Sequence, residues 1–563
     1  MKGTIAVKGM AAARANVIFE KKTENTVRHI EDIEKESERL NIAKEQCAES
    51  LTVLSEELDA EHAEILDFQI LLLEDDNYFG SIKRMVENEK VSCEYAVSVC
   101  SSAYRKELLS LDNPYLNERA ADITDIEKRL LRTLEGRNEV RSADGLEIVV
   151  AEDLTPSQVV EFGRKNLCGI VLEKGGLSSH CVILARSMDI PCLIGVNGIL
   201  SNVRDKDELL LDALHGEVIV NPAPEQLQNY KIYQEKREAE KSELEQYRKS
   251  KTRTRDGHKM RVYANISTEA ETEQLLYQGG EGVGLMRTEM LYMERPALPD
   301  EDTQYAIYSR IVKNLAGRPV IIRTLDVGGD KHIPYLGISE EDNPFLGYRA
   351  IRYCLDNPVV LQTQAAAILR SALYGPVQLM LPMISTVSEV ERAKEIIEEA
   401  KQDLARRGLA YGKISVGMMV ETPAAAVMAE KFAHIVDFFS IGTNDLTQYL
   451  FAADRNNAKV SSLNSYFQPA LLRVLWHICR CAHGSGIEVD ICGQAGEVEE
   501  LIPLWVGMGM DNLSVSIPSI PRVRRAISRC GQERCKELLE QAVACKDADE
   551  VKDILRKEAG EWL

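Results

Sequence analysis

The chain has 563 residues, 45% of them hydrophobic and 28% charged, with a net charge of −21. At roughly 100–200 residues per domain, that length suggests three or four domains, each able to bury its own core. The acid excess argues against nucleic acid and anionic membranes as partners, and no apolar run approaches the ~18 residues of a membrane span.

The 13 cysteines include no CxxC pair, the nearest neighbours being Cys479 and Cys481. Neither a zinc framework nor a disulfide framework is expected. Reduced thiols in the cytoplasm are the simplest account, and Met1 is followed by no signal-peptide pattern.

In chain order, Gly3-Thr4-Ile5-Ala6-Val7 reads as a strand, Gly9 as a turn, and Ala15 to Phe19 as a second apolar run. Then the composition shifts. No glycine occurs between Gly9 and Gly80, and apolar residues recur at helical spacing, as at Val27, Ile30, Ile33 and Leu51, Leu54, Leu58. This predicts a helical block over about 24–135, stopped by Gly136. From about 145 the pattern becomes β/α, with strands at 146–150, 169–172, 192–194 and 217–220. The helical block therefore reads as an insertion into a β/α domain. Residues 226–250 are polar and helix-forming, as expected of a linker. After Gly257, strand-then-helix repeats about eight times, with strands at 261–266, 282–286, 320–325, 378–383, 415–420, 438–442, 488–492 and 512–516. Eight such units over the remaining residues predict a (β/α)₈ TIM barrel. The domains expected are 1–20 plus 145–225 (β/α), 21–144 (helical), a linker at 226–255, and the barrel over 256–563.

In such barrels the working residues sit at the carboxyl ends of the strands. Here those ends carry Arg287, Arg323, Glu421, Asn444, Asp445 and Cys492, with Arg455 soon after. Any one of them reads equally well as a loop charge, and only their joint placement points to a site. Forked arginine donors at 287, 323 and 455 suit phosphate oxygens. Glu421 and Asp445 are hard oxygen ligands suited to Mg²⁺. Asn444 can donate to a phosphate or carboxylate. Cys492, a thiol of ordinary pKa about 8.5, can deliver a proton to carbon when protonated; the plainer reading is an inert buried cysteine.

Upstream, Gly175-Gly176-Leu177-Ser178-Ser179-His180 opens a helix. The glycines permit close approach, the serines can cap, and the helix amino end favours a phosphorylated side chain. Imidazole is a competent nucleophile at neutral pH. Alone, His180 reads as a structural histidine in a capped helix; with a phosphate-gripping barrel downstream it reads as a phosphoryl acceptor.

Nearly end to end, the chain resembles enzyme I of the bacterial phosphoenolpyruvate-dependent sugar phosphotransferase system, the phosphoenolpyruvate–protein phosphotransferases. The resemblance rests on the histidine run, on Gly284 to Glu289, Leu325 to Lys331, Asn343 to Ala350, Val420 to Ala425 and Phe439 to Tyr449. It implies that phosphoenolpyruvate and Mg²⁺ bind at the barrel mouth and that His180 attacks phosphorus. It further implies that Arg287, Arg323 and Arg455, with Arg349 and Lys331, hold the phosphoryl group, that Glu421 and Asp445 hold the metal, and that Cys492 protonates the enolate to pyruvate. The acceptor it implies is the histidine-containing phosphocarrier protein, HPr, docked on the helical block, and the assembly a homodimer joined through the barrel.

Some positions depart from the family pattern. Leu177 stands for a usual arginine, Cys181 for a small polar residue and Gln494 for a glutamate. Val7-Lys8-Gly9-Met10 replaces a Ser-Pro-Gly run, and Leu66-Asp67-Phe68-Gln69 lacks a frequent histidine. Two other classes share parts of this pattern. A dikinase or phosphoenolpyruvate synthase needs an ATP-binding domain, whereas the residues ahead of His180 are a glycine-poor helical block without a phosphate loop. A non-catalytic scaffold is opposed by Arg287, Glu421, Asp445 and Cys492 together.

Overall fold

In the computed structural model the described residues are 1–18, 27–55, 60–110, 114–136, 145–163, 166–176, 179–293, 295–328, 333–339, 341–455, 457 and 459–562. They fall into two compact units, Met1–Glu238 and Ala239–Leu563. The division lies inside one helix, Pro224–Arg248, none of whose residues is fully buried.

The first unit holds a seven-stranded sheet: β1 (Thr4–Val7), β2 (Met10–Ile18), β3 (Glu147–Ala151), β4 (Leu167–Leu172), β5 (Cys192–Ile194), β6 (Glu208–Asp212) and β7 (Glu217–Val220). Their spatial order is β1-β5-β4-β3-β2-β6-β7. The chain leaves the sheet after β2, forms helices Ile33–Ser55, Ala60–Glu74, Phe79–Glu89, Cys93–Ser110 and Pro114–Leu134, and returns at β3, parallel to β2. Gly136, with φ +67°, follows the last of these helices, in the left-handed region that glycine enters without penalty. One apolar cluster joins the helices (Leu40, Leu51, Ile82, Ile126) to a face of the sheet (Val149, Ile170) and to Val182 and Ala185. The clip between the two parts is polar. Asp125, fully buried on the fifth helix, accepts from Ser157 Oγ at 2.8 Å, from Ser157 N at 3.2 Å and from Gln69 Nε2 at 2.9 Å.

Strand β6 was not expected. Leu209-Leu210-Leu211 lacks the alternation of a half-buried strand, and its place is set by antiparallel pairing with β2 and β7.

The second unit is a closed barrel of eight parallel strands: β8 (Arg261–Ile266), β9 (Val283–Met286), β10 (Val320–Arg323), β11 (Val377–Leu381), β12 (Ile414–Val420), β13 (Phe438–Ile441), β14 (Glu488–Ile491) and β15 (Asn512–Val515). β15 closes on β8, with Asn512 opposite Arg261. Side chains alternate across each strand. On β13, Phe439 and Ile441 join the large core shared with the outer helices, while Phe438 belongs to an interior cluster with Leu285, Ile321, Met380, Met419 and Cys492. The strands end where the sequence placed them, to within two residues, so the expected side chains emerge together at the carboxyl end.

Candidate active site at the barrel mouth

The mouth is organised by a row of alternating charges. Arg323, the last residue of β10, is buried and pairs with Glu289 and, at 2.9 Å, with Asp326. Asp326 also binds Arg349 Nη2 at 2.8 Å. Arg349 in turn approaches Asp445 at 3.7 Å, and Asp445 meets Arg455 at 3.2 Å. Arg349, Asp326, Glu289 and Asp445 are all buried, whereas Arg455 is partly open and lies over the Phe345 ring, 5.5 Å from its centre. Buried arginines are tolerated because each faces carboxylates; despite burial, those carboxylates raise the pKa of Arg323 and Arg349 further.

Backbone features hold this row. Arg349 stands one residue before Ala350, whose φ is +54°, and the Ala350 N–H donates to Val327 O at 3.1 Å. Gly328 is required here, since a Cβ would lie 2.4 Å from Arg349 Cβ. Thr288 Oγ1 donates to Arg323 O at 3.0 Å, and Gln364 accepts from Leu325 N at 2.9 Å while donating to Thr288 and Tyr308. The ends of β9 and β10 are thereby tied to one buried amide.

Glu421, one residue past β12, is buried and accepts from the Met383 N–H at 2.6 Å. Burial, followed by the nearby charges of Asp445 and Asp326, pushes its carboxyl up to about 8. Three carboxylates crowd where only arginines oppose them, and a divalent cation would relieve that crowding. Among the described residues no three His, Cys, Asp or Glu side chains converge as a complete ligand set. The donors on offer are the hard oxygens of Glu421 and Asp445, which fit an ion such as Mg²⁺ that completes its shell with substrate and water. Gly442 gives Glu421 room, because a Cβ there would sit 2.8 Å from Glu421 Oε2.

Asn444 Oδ1 accepts from Tyr466 OH at 2.8 Å and from Gln494 N at 3.1 Å. With the oxygen so engaged, the amide NH₂ is the end left to donate. Cys492 is buried, and its thiol donates weakly to Ile441 O at 3.5 Å. Burial foremost, then Asp490, pushes the thiol up to about 12, so it is protonated at neutral pH. Arg287, just past β9, is exposed and its side chain has no hydrogen-bond or ion-pair partner among the described residues; its N–H donates to Ile266 O at 2.8 Å. A cavity of about 520 Å³ adjoins the row, lined in part by Phe345, Met383, Thr422, Gln448 and Tyr449, and Tyr449 lies 3.4 Å from Arg349.

The mouth thus gathers Arg323, Arg349, Glu421, Asn444, Asp445, Arg455 and Cys492, with Arg287 at the end of β9. Lys331 lies outside the described residues. The sequence reading missed Glu289 and Asp326 as partners of the arginines. Asp326 stands three residues after Arg323, which was the available signal. In the first unit, His180 is the first residue of helix His180–Ser187, capped by Ser179 Oγ accepting from Val182 N at 3.4 Å. The His180 side chain, Leu177 and Ser178 lie outside the described residues.

Residues 241–531 match the PEP-binding domain of PEP-utilising enzymes, residues 2–119 their N-terminal domain and residues 144–216 their mobile domain. A phosphoenolpyruvate-protein phosphotransferase of Geobacillus stearothermophilus is 39% identical over 563 residues, spanning 99% of this chain and 97% of that protein. The chain belongs to the phosphoenolpyruvate-protein phosphotransferase family. The phosphotransferase of that name from Bacillus subtilis is 38% identical, covering 98% of both chains. The NMR solution structure of an Enzyme I (nEIt) protein is similar over 42% of this chain and 99% of that chain, at 30% identity and a TM-score of 0.38. No helix among the described residues is long and apolar enough to cross a membrane.

Proposed function

We propose that the chain transfers the phosphoryl group of phosphoenolpyruvate to His180 and then to the histidine of HPr, releasing pyruvate, as the first general component of the sugar phosphotransferase system. The observation that carries this reading is the charge row at the barrel mouth, in a chain whose full-length relatives bear the phosphotransferase name.

Before substrate arrives, Arg323 and Arg349 are held in place by Glu289 and Asp326, so their forks need little reorganisation on binding. Arg455 and Arg287, the more open pair, meet the incoming anion, and the Asn444 NH₂ donates to it; Lys331 is assigned the same phosphate-binding role. Glu421 and Asp445 would hold Mg²⁺, which would supply positive charge to offset the charge of the transferring group. His180 attacks phosphorus through Nε2. The bond from phosphorus to the enol oxygen breaks, and the electron pair leaves on the enolate. The Cys492 S–H then breaks as a C–H bond forms at the enolate methylene, giving pyruvate. A thiol raised to about 12 is loaded for this at any physiological pH.

The β/α residues 1–20 and 145–225 are assigned to carrying phospho-His180, the helical residues 21–144 to docking HPr, 226–255 to linking, and the barrel 256–563 to binding phosphoenolpyruvate and joining two copies as a homodimer. All 13 cysteines are free thiols, which suits work in the cytoplasm. The test is incubation with ³²P-labelled phosphoenolpyruvate and Mg²⁺. An acid-labile label is expected on the protein, absent from His180→Ala and removed by added HPr. No label on the unmutated chain sinks the proposal.

A further inference from the structure

Behind Cys492 lies a buried acid that this mechanism does not use. On β14, Val489 and Ile491 face the outer helices, so Asp490 and Cys492 face the barrel interior, two residues apart on one side of the strand. Asp490 is 2% exposed. Its register partner on β13 is Ser440, itself fully buried. Neither Asp490 oxygen nor Ser440 Oγ has a hydrogen-bond partner among the described residues. The Ser440 hydroxyl lies beside both the Asp490 carboxyl and the Cys492 thiol, completing a bond to neither.

The charged and titratable groups around Asp490 come from three places. Glu488 and Cys492 share its strand, Arg261 and Tyr263 are on β8, and Asp511 precedes β15. Arg261, the cation of this set, is already engaged by Glu488 and by Asn512 Oδ1 at 2.7 Å. A buried carboxylate with no dedicated partner is costly, so the neutral acid is favoured. Burial foremost, with Glu488 and Asp511 adding to it against Ser440 and Arg261, pushes the carboxyl up to about 7.

We propose that Asp490 is an internal proton store, which reloads Cys492 through the Ser440 hydroxyl after each enolate has been protonated. This rests on the role proposed above for Cys492. The first step leaves a thiolate where the S–H was. Ser440 then gives its proton to that sulfur as it takes the proton of Asp490, so S–H and Ser O–H bonds form and the Asp490 O–H bond breaks. Solvent returns a proton to the Asp490 carboxylate before the next cycle. The transfer runs downhill, from a carboxyl near 7 to a thiol near 12. Asp490 touches no substrate; it is a positioning residue for the proton and acts only through Cys492.

The experiment is rapid-quench measurement of pyruvate release by the full chain with HPr as acceptor, across pH 6 to 9, for the unmutated protein and Asp490→Asn. The first turnover is expected unchanged, because the thiol is still loaded. Steady-state turnover is expected to drop by about tenfold or more, and the decline of the unmutated enzyme above neutral pH is expected to vanish from the variant's profile. Ser440→Ala, which keeps the carboxyl and breaks the relay, should give the same split if Asp490→Asn does not fold. An unchanged steady state overturns the inference, as does an equal fall of first and later turnovers with an unaltered pH profile. Failure of the underlying reading looks different: the unmutated chain releases no pyruvate, or Cys492→Ala releases it at full rate.

Discussion

Arg323 commits its fork to two buried carboxylates, Glu289 and Asp326. Arg323→Ala would take a buried cation from beside Glu289 and leave Asp326 to Arg349 alone, at a cost of about 3 kcal/mol. The expected outcome is a lower urea midpoint for the barrel together with lost phosphoenolpyruvate turnover, measured by fluorescence and by pyruvate release. Asp490 gives a pH prediction. Its folded-state carboxyl sits at about 7, against roughly 4 when unfolded. Between those values the folded state binds more protons, so stability falls as pH rises through the window. Asp490→Asn should flatten that decline, as thermal melts from pH 4 to 8 would reveal; an unchanged slope would contradict the assignment. At this scale the sequence was informative about residue type. Arg323, Glu421, Asp445 and Cys492 were legible because each ends or follows an apolar run of strand length. Their partners were not. That Asp326 would lie between two arginines depends on how the chain after β10 folds back, with Gly328 against Arg349, and no local pattern encodes such a return.

Among the elements, the barrel strands were readable because short apolar runs recur between helical stretches bounded by glycine, proline or charge. β6 was not, because its register comes from β2 and β7, not from its own pattern. The clip at Asp125 shows how separate elements become one. This carboxylate on the fifth helix meets the start of helix Pro156–Gly163 through Ser157 and the second helix through Gln69. Asp125→Ala leaves the Ser157 N–H and Gln69 Nε2 without their carboxylate acceptor, a loss of roughly 1–3 kcal/mol. Faster amide exchange is expected in both helices, with exchange in the barrel strands unaltered. Equal protection in variant and parent would show that the apolar cluster alone holds the helices to the sheet.

For the whole molecule, the sequence indicated multiple domains and an α/β barrel, while closure of β15 onto β8 is a long-range fact that no window of residues displays. Two units with separate cores predict two calorimetric transitions. A phosphoenolpyruvate analogue that binds the mouth should raise only the transition of Ala239–Leu563, by RT ln(1 + [L]/Kd). Equal shifts of both transitions would mean the units unfold as one. The same measurement separates the charge row from the His180 helix, since ligand bound at the first leaves the second to melt at its own temperature.

The route of the chain through the first sheet has a consequence during synthesis. β2 is an interior strand, yet its neighbours β3 and β6 begin at Glu147 and Glu208. At about 5–20 residues per second, β2 leaves the ribosome many seconds ahead of both. For that interval the segment lacks both of the partners it pairs with in the finished sheet. Its sequence, Met-Ala-Ala-Ala-Arg-Ala-Asn-Val-Ile, is poor material for a wrong partner: four alanines bury little surface, and Arg14 and Asn16 interrupt it. The same small side chains also suit the finished sheet, where Ala11 and Ala15 are buried in the core and Ala11 lies close against Gly169.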